Sequence, residues 1–288
     1  MNPSKHKKTA YLLITVLFLI GITFAAFFDL EISSALAGFS GENGSLSLSV
    51  PRYASFLEIL GEWPAALIAG ISFLLVTTVI AEKHKKQALG IRFFSVFPAA
   101  CLFAYGCIKT AEYLNTDASW EIYLIIAVIS IAISAAGSFF LSKIPKKVKD
   151  ALFLPALYTL AAAALIFISV SVLKITWGRI RPRELVAADS LDGFTPWYLP
   201  NFFSGSRSFP SGHTAHNTLT LMLPLWLFGN GKRYRPILTA VCACFVILMG
   251  FSRITAGAHY LSDVLFGFGI AFIITEFLKY RCEKKQST

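Results

Sequence analysis

The sequence predicts an all-α fold: a polytopic membrane helix bundle with about eight transmembrane helices. Three observations predict it. Of the 288 residues, 56% are hydrophobic and only 15% are charged, where a soluble domain carries about 25% charged residues. About eight apolar stretches approach the roughly 20 residues that cross a bilayer. The basic residues gather in alternate connections, the pattern that basic cytoplasmic loops leave in a sequence.

The first stretch, Thr9–Phe28, follows Lys5, Lys7 and Lys8. It is longer than the ~7–15 apolar residues of a signal peptide, so it reads as a retained helix rather than a leader cut at Ala35-Leu36-Ala37. A Gly/Ser-rich connection, 29–62, carries a formal sequon at Asn43-Gly44-Ser45. The next stretches are Trp63–Ala81, Phe93–Leu114, Ile122–Leu141 and Ala151–Leu173. Lys109 and Glu112, one turn apart, read as a structural pair. The sixth and seventh, Thr214–Phe228 and Pro236–Phe251, are short, and Pro224 kinks the sixth. Leu261–Leu278 is the last. Long helices satisfy their own backbone in lipid, so no other element is expected for these runs. The chain reads as one membrane domain, 1–288, with N-terminal helices over 1–150 and a C-terminal half, 151–288, that holds the candidate chemistry.

Charge assigns the faces. Eighteen of the 26 lysines and arginines lie at the N-terminus, around 83–92, 143–149 and 232–235, and at the C-terminus, beside only Glu82, Asp150, Glu276 and Glu283 among the acids. These connections are expected in the cytoplasm, with both termini. The formal charge of +10 is thereby a topology signal, and nucleic acid is excluded as a partner. Cys101, Cys107, Cys242 and Cys244 fall in apolar runs and Cys282 in the tail, without metal-site spacing; they read as small buried hydrophobes.

Eight basic residues remain. Six of them, Lys174, Arg179, Arg181, Arg183, Arg207 and Arg253, fall at or between the outer ends of the fifth and seventh helices. Cations converging outside the membrane call for an anionic ligand. Three short stretches surround them. In Lys174–Pro182 (KITWGRIRP), Lys174 ends a helix and Arg181 precedes a proline. In Pro210–His213 (PSGH), Pro210 and Ser211 suit a helix start, Gly212 admits close backbone approach, and free amides there can bind phosphate oxygens, with His213 beside them as a proton donor. In Ser252–Asp263 (SRITAGAHYLSD), His259 and Asp263 stand four apart. On one helix they share a face, and a carboxylate beside an imidazole orients it as a nucleophile or base. Taken singly, each stretch also reads as an ordinary cap or interfacial pair.

Together, the three match in residue, spacing and order. Lys174 followed by six residues and Arg181-Pro182, then PSGH, then Ser252-Arg253 with His259 and Asp263, resembles the three-part signature of the type 2 phosphatidic acid phosphatase superfamily. The likeness covers about 173–278 and leaves the first four helices unaccounted for. It implies a catalytic core in the C-terminal half of the helix bundle. It implies that His259 attacks phosphorus, that Asp263 supports it, and that His213 protonates the leaving oxygen. It implies that Lys174, Arg181, Ser211, Gly212 and Arg253 hold the phosphoryl oxygens. Asp263 is the only acid within the three motifs, so no metal cofactor is expected. The substrate class is a phospholipid or isoprenoid phosphate in the bilayer, such as undecaprenyl pyrophosphate, phosphatidylglycerophosphate or phosphatidic acid. A lipid phosphotransferase would use the same intermediate, and eight helices with a basic exterior pocket would also suit an anion or lipid transporter, although no matching pair of broken helices marks one. The aromatic segment before the second motif, with Trp197, Tyr198, Phe202 and Phe203, reads equally as an interfacial flap over the site or as an aromatic belt with no role in substrate entry. A cysteine substituted for Ser190 is expected to label from outside, and one substituted for Lys147 from inside; the reverse pattern would place the three motifs in the cytoplasm.

Overall fold

The computed structural model describes residues 3–42, 45–114, 119–202, 204–226 and 234–287. The sequon Asn43-Gly44, Phe203, Lys232 and Arg233 lie outside the described residues. Among the described residues ten α-helices run in chain order: α1 (Pro3–Ala37), α2 (Arg52–Gly61), α3 (Trp63–Lys83), α4 (Ala88–Leu114), α5 (Trp120–Lys143), α6 (Lys146–Trp177), α7 (Pro182–Ala187), α8 (Gly212–Thr218), α9 (Arg235–Thr255) and α10 (Leu261–Ser287). A small antiparallel hairpin, β1 (Ser40–Glu42) and β2 (Ser45–Ser47), is the only strand pair among the described residues. Seven helical stretches among those residues are long and apolar enough to cross a membrane. The chain is an all-α polytopic bundle.

Three departures from the expected runs matter. The first run does not end at Phe28: the helix continues to Ala37 through a non-helical Phe28 (φ −127°, ψ 18°). The connection 29–62 is not wholly a loop, since α2 and the hairpin occupy part of it. The sixth run does not form one long helix. α8 is seven residues, followed by a tighter 3₁₀ turn over Leu219–Trp226 that contains Pro224. Proline cannot donate the α-helical hydrogen bond and clashes with the preceding turn, so regular helix stops short of it. Leu219, Leu221, Met222 and Leu225 are buried all the same.

The chain divides into two compact units. One comprises Met1–Ser55, Ile168–Ala215 and Ile247–Ile270; the other comprises Phe56–Phe167, His216–Val246 and Ala271–Thr288. The second unit is built on α3, α4 and α5. Leu74, Ala99 and Phe103 form one apolar cluster, and Leu75, Val76 and Ala156 another. Ser130, Ser134 and Ser138, four residues apart, make a buried small-residue stripe on α5, the means by which helices approach closely where lipid removes the hydrophobic drive between them. Trp63 Nε1 donates to Thr110 Oγ1 at 3.0 Å. Lys109 and Glu112 pair at 2.7 Å, half-exposed, as a structural pair should. Buried Lys149 is bonded to Glu82. Large apolar side chains such as Leu12, Phe93, Phe97 and Ile125 face outward, the arrangement that a hydrocarbon solvent favours.

The first unit contains all three sequence stretches. Phe18 of α1 meets Phe266 of α10 edge-on at 5.9 Å. Phe266 also packs against Phe209 at 5.0 Å and Trp197 at 4.9 Å, and Trp177 stacks on Phe209 at 4.7 Å. This aromatic cluster joins α1, the end of α6, the aromatic segment and α10.

Candidate active site

α6 ends at Trp177 and the chain turns through Gly178, whose φ of +61° favours glycine. A Cβ there would lie 2.0 Å from the Asn201 carbonyl oxygen. The turn places Lys174 before it and Arg179 and Arg181 after it. The aromatic segment folds back on this corner. Asn201 N–H donates to Trp177 O at 2.7 Å, and Trp177 Nε1 donates to Trp197 O at 2.8 Å. Tyr198 and Phe202 remain exposed.

The Pro210–His213 stretch starts α8 as the sequence suggests. Ser211 Oγ sits 3.0 Å from Thr214 Oγ1 and accepts from Thr214 N–H at 3.4 Å, closing the first turn. The Ser211 N–H donates to the Asp263 carbonyl at 2.8 Å. α10 passes so close that a Cβ on Gly267 would lie 2.5 Å from Ser211 O. Lys174 lies beside Gly212: its Cε would be 3.4 Å from a Cβ added there. The Lys174 ammonium donates to Arg207 O at 2.8 Å. His213 is the second residue of α8, half-buried, in the same unit.

His259 and Asp263 do not share one helix, as their spacing suggested. α9 ends at Thr255, the chain turns at Gly257, and α10 begins at Leu261. The Arg253 carbonyl accepts the N–H groups of Ala258 and His259 at 3.0 and 3.2 Å, and the helix is spent at that turn. Asp263, in the first turn of α10, reaches back and accepts the Tyr260 N–H on Oδ2 at 3.0 Å, an N-terminal cap made from the third helical residue. The cap still brings the pair together: His259 Nδ1 is 3.6 Å from Asp263 Oδ2. That exceeds a hydrogen bond and is close enough for the carboxylate to favour a proton on Nδ1.

The Asp263 carboxylate, fully buried, is held on all sides. Ser208 Oγ donates to Oδ2 at 2.5 Å, and Arg179 NH1 donates to Oδ1 at 2.8 Å. Arg179 has no exposed surface. It also donates to Thr195 O, Ser262 Oγ and Asp29 Oδ2, at 2.8, 2.7 and 2.8 Å, and its guanidinium lies 3.9 Å from the centre of the Tyr260 ring.

Of the eight residues singled out from the sequence, Lys174, Gly212, Ser211, Asp263 and His259 are linked by these contacts. Arg181 caps α7 with Glu184 and acts electrostatically on Lys174 and His259. The Arg253 guanidinium is buried and donates to Ala54 O of α2 at 3.0 Å; its tie to His259 runs through the backbone. The sequence reading missed Asp29, Ser208 and Ser262, and named Arg179 only as one exterior cation. Among the described residues no three His, Cys, Asp or Glu side chains converge as a metal site.

Burial holds the His259 pKa well below its ordinary 6.5; Asp263 opposes this, and the cations of Lys174 and Arg181 reinforce it. Burial thus favours the neutral ring, and the nearby Asp263 carboxylate favours the tautomer with its proton on Nδ1 and a lone pair on Nε2.

This pattern of cations, glycine turn and supported histidine has relatives. The PAP2 superfamily model matches residues 152–286. Those residues, just under half of the chain, are similar to the PAP2 superfamily. Over 101 residues the chain is 33% identical to phosphatidylglycerophosphatase B of Haemophilus influenzae, covering 33% of this chain and 42% of that protein. It is 23% identical over 114 residues to phosphatidylglycerophosphatase B of Bacillus subtilis, 38% of this chain and 56% of that protein. It is 31% identical over 129 residues to the probable diacylglycerol pyrophosphate phosphatase 1 of Schizosaccharomyces pombe, 36% of this chain and 46% of that protein. The chain thus spans about half the length of the curated relatives it matches. No solved structure matches the chain. The matched segment includes all eight candidate site residues and excludes Asp29.

Two outcomes are expected from this geometry. Gly267→Ala forces α10 off the Ser211 backbone, so it should lower stability by about 1–3 kcal/mol, read as an earlier melt in detergent. Gly90→Ala, with open space around it, should not. In ¹⁵N-histidine-labelled protein, the His259 signal, assigned by its loss in His259→Gln, should titrate below pH 6.5. A midpoint at 6.5 or above would contradict the effect of burial.

Proposed function

We propose that the chain hydrolyses phosphate or pyrophosphate esters of membrane lipids at the extracytoplasmic face, through a phosphohistidine on His259. The observation that carries this reading is the neutral, buried His259 held beside Asp263 and within the field of Lys174 and Arg181. The PAP2 match and the phosphatase names of the relatives support it. Those names span a lipid phosphate and a lipid pyrophosphate, so the common substrate element is a terminal phosphoryl group on a lipid. The loop charges support the outer face.

In the first half-reaction, the His259 Nε2 lone pair forms the N–P bond as the bond from phosphorus to the leaving oxygen breaks. His213 gives its proton to that oxygen. The ring becomes cationic, and Asp263 supports its Nδ1–H. In the second, water attacks phosphorus and gives its proton to His213, the N–P bond breaks, and the lone pair returns to His259. Lys174, Arg181 and Arg253, with the Ser211–Gly212 backbone, offset charge on the equatorial oxygens; phosphoryl transfer asks a protein mainly for this and for positioning.

Purified protein in detergent is expected to release inorganic phosphate from phosphatidic acid, phosphatidylglycerophosphate or undecaprenyl pyrophosphate, and His259→Ala to abolish both turnover and the trapped phosphoenzyme. A phosphorylated lipid acceptor in place of free phosphate would make the protein a phosphotransferase. His213→Ala should lose about 10²–10⁴-fold on a lipid monophosphate and recover in part on p-nitrophenyl phosphate, whose leaving group needs no proton. Equal losses for the two variants on every substrate would refute the division of roles.

A further inference from the structure

One acid from outside the PAP2 segment reaches the site. Asp29 lies in α1, is 2% exposed, and follows the kink at Phe28. An apolar helix has no packing use for a buried carboxylate, and burying one without partners is costly. Asp29 accepts from three donor groups: Oδ1 accepts the Ser262 N–H at 3.0 Å, and Oδ2 accepts the Ser262 hydroxyl and, at 2.8 Å, Arg179 NH2. With only donors around it, the group is a carboxylate. The Ser262 hydroxyl in turn accepts from Arg179 NH1 at 2.7 Å.

The charge count of this cluster is the informative part. Arg179 bonded to Asp263 alone would be a neutral pair, and a neutral pair gives little support to a ring that becomes cationic during the reaction. With Asp29 on the other side of the guanidinium, two carboxylates share one cation. The buried cluster then carries one net negative charge beside His259. We infer that Asp29 is a positioning residue for the reaction: by sharing Arg179 with Asp263 and capping α10 at Ser262, it leaves a net anion facing the His259 ring. The inference rests on the phosphohistidine reading and adds to it a residue from a helix that the family match does not reach.

The groups that face His259 are Lys174 from α6, Arg181 from the turn before α7, Asp263 from α10 and Tyr260 from its own connection. Asp29 acts through Arg179 and Asp263. Asp29→Asn keeps an acceptor for Arg179 and removes the charge. In the full-length protein it should lower kcat roughly tenfold or more, the equivalent of one pKa unit of lost support, with KM changed little. It should also move the His259 ¹⁵N titration midpoint to lower pH, because the ring loses an anion that favours its protonated form. Ser262→Ala, which deletes two hydrogen bonds and no charge, should leave that midpoint in place. The double variant Asp29→Asn/Arg179→Gln removes one cation and one anion, so the cluster keeps its single negative charge; its midpoint should return toward that of the unaltered protein, whatever becomes of kcat. The double variant also serves if the single one does not fold. An unshifted midpoint in Asp29→Asn, or a midpoint in the double variant that stays as low as in the single one, would overturn the inference. Absence of phosphate release by the unaltered protein would instead overturn the phosphatase reading, and the titrations would still report on the cluster.

Discussion

A guanidinium with no exposed surface must find all its compensation within the protein, and Arg179 imposes that requirement on everything around it. Four of its five N–H groups reach an acceptor, and the acceptors come from three parts of the chain: Thr195 in the aromatic segment, Asp29 in α1, and Ser262 and Asp263 in α10. Breaking a buried ion pair on one side leaves an uncompensated charge, commonly at about 3–5 kcal/mol. The first unit is therefore tied together by a buried charge as well as by its apolar contacts. The aromatic rings of Phe209, Phe266, Trp177 and Trp197 pack beside it.

The same arrangement reconciles two demands that oppose each other. Lipid requires that polar groups face inward and be satisfied, while the phosphoryl chemistry proposed above requires cations and a reactive imidazole within reach of a ligand. The structure separates the two kinds of polar group. Arg179, Asp29 and Asp263 satisfy one another and are sealed off. The Lys174 ammonium donates to the Arg207 carbonyl, and the Arg181 guanidinium lies 3.9 Å from a Glu184 carboxylate oxygen. His259 stands where the two sets meet.

The helical runs were legible because hydropathy reports them directly, and the three polar stretches because cations are rare on the outer side of such a chain. Pro224 foretold the weakness of the sixth run, though not that α8 would stop after seven residues. The approach of His259 to Asp263 followed from spacing, but its cause did not: the pair meets through a turn and a helix cap rather than along a helical face. Asp29 was not legible. It stands 150 residues from Arg179, it closes an apolar run, and so it looks like the first residue of an exterior loop. Nothing local separates an acid that leaves the membrane from one that turns back into the protein. Arg179 was visible only as a charge, because its neighbours in sequence are not its neighbours in space.

The kink at Phe28 lets a single helix serve two masters. Before it, α1 is an apolar rod whose side chains largely face outward; after it, the same helix delivers a carboxylate to a buried guanidinium. The family match begins at residue 152, and the electrostatic assembly extends beyond it. A shortened chain beginning at α6 would retain every residue of the three motifs and still leave the inner charges mismatched. In this protein the extra N-terminal helix is an internal counterion as well as a membrane span.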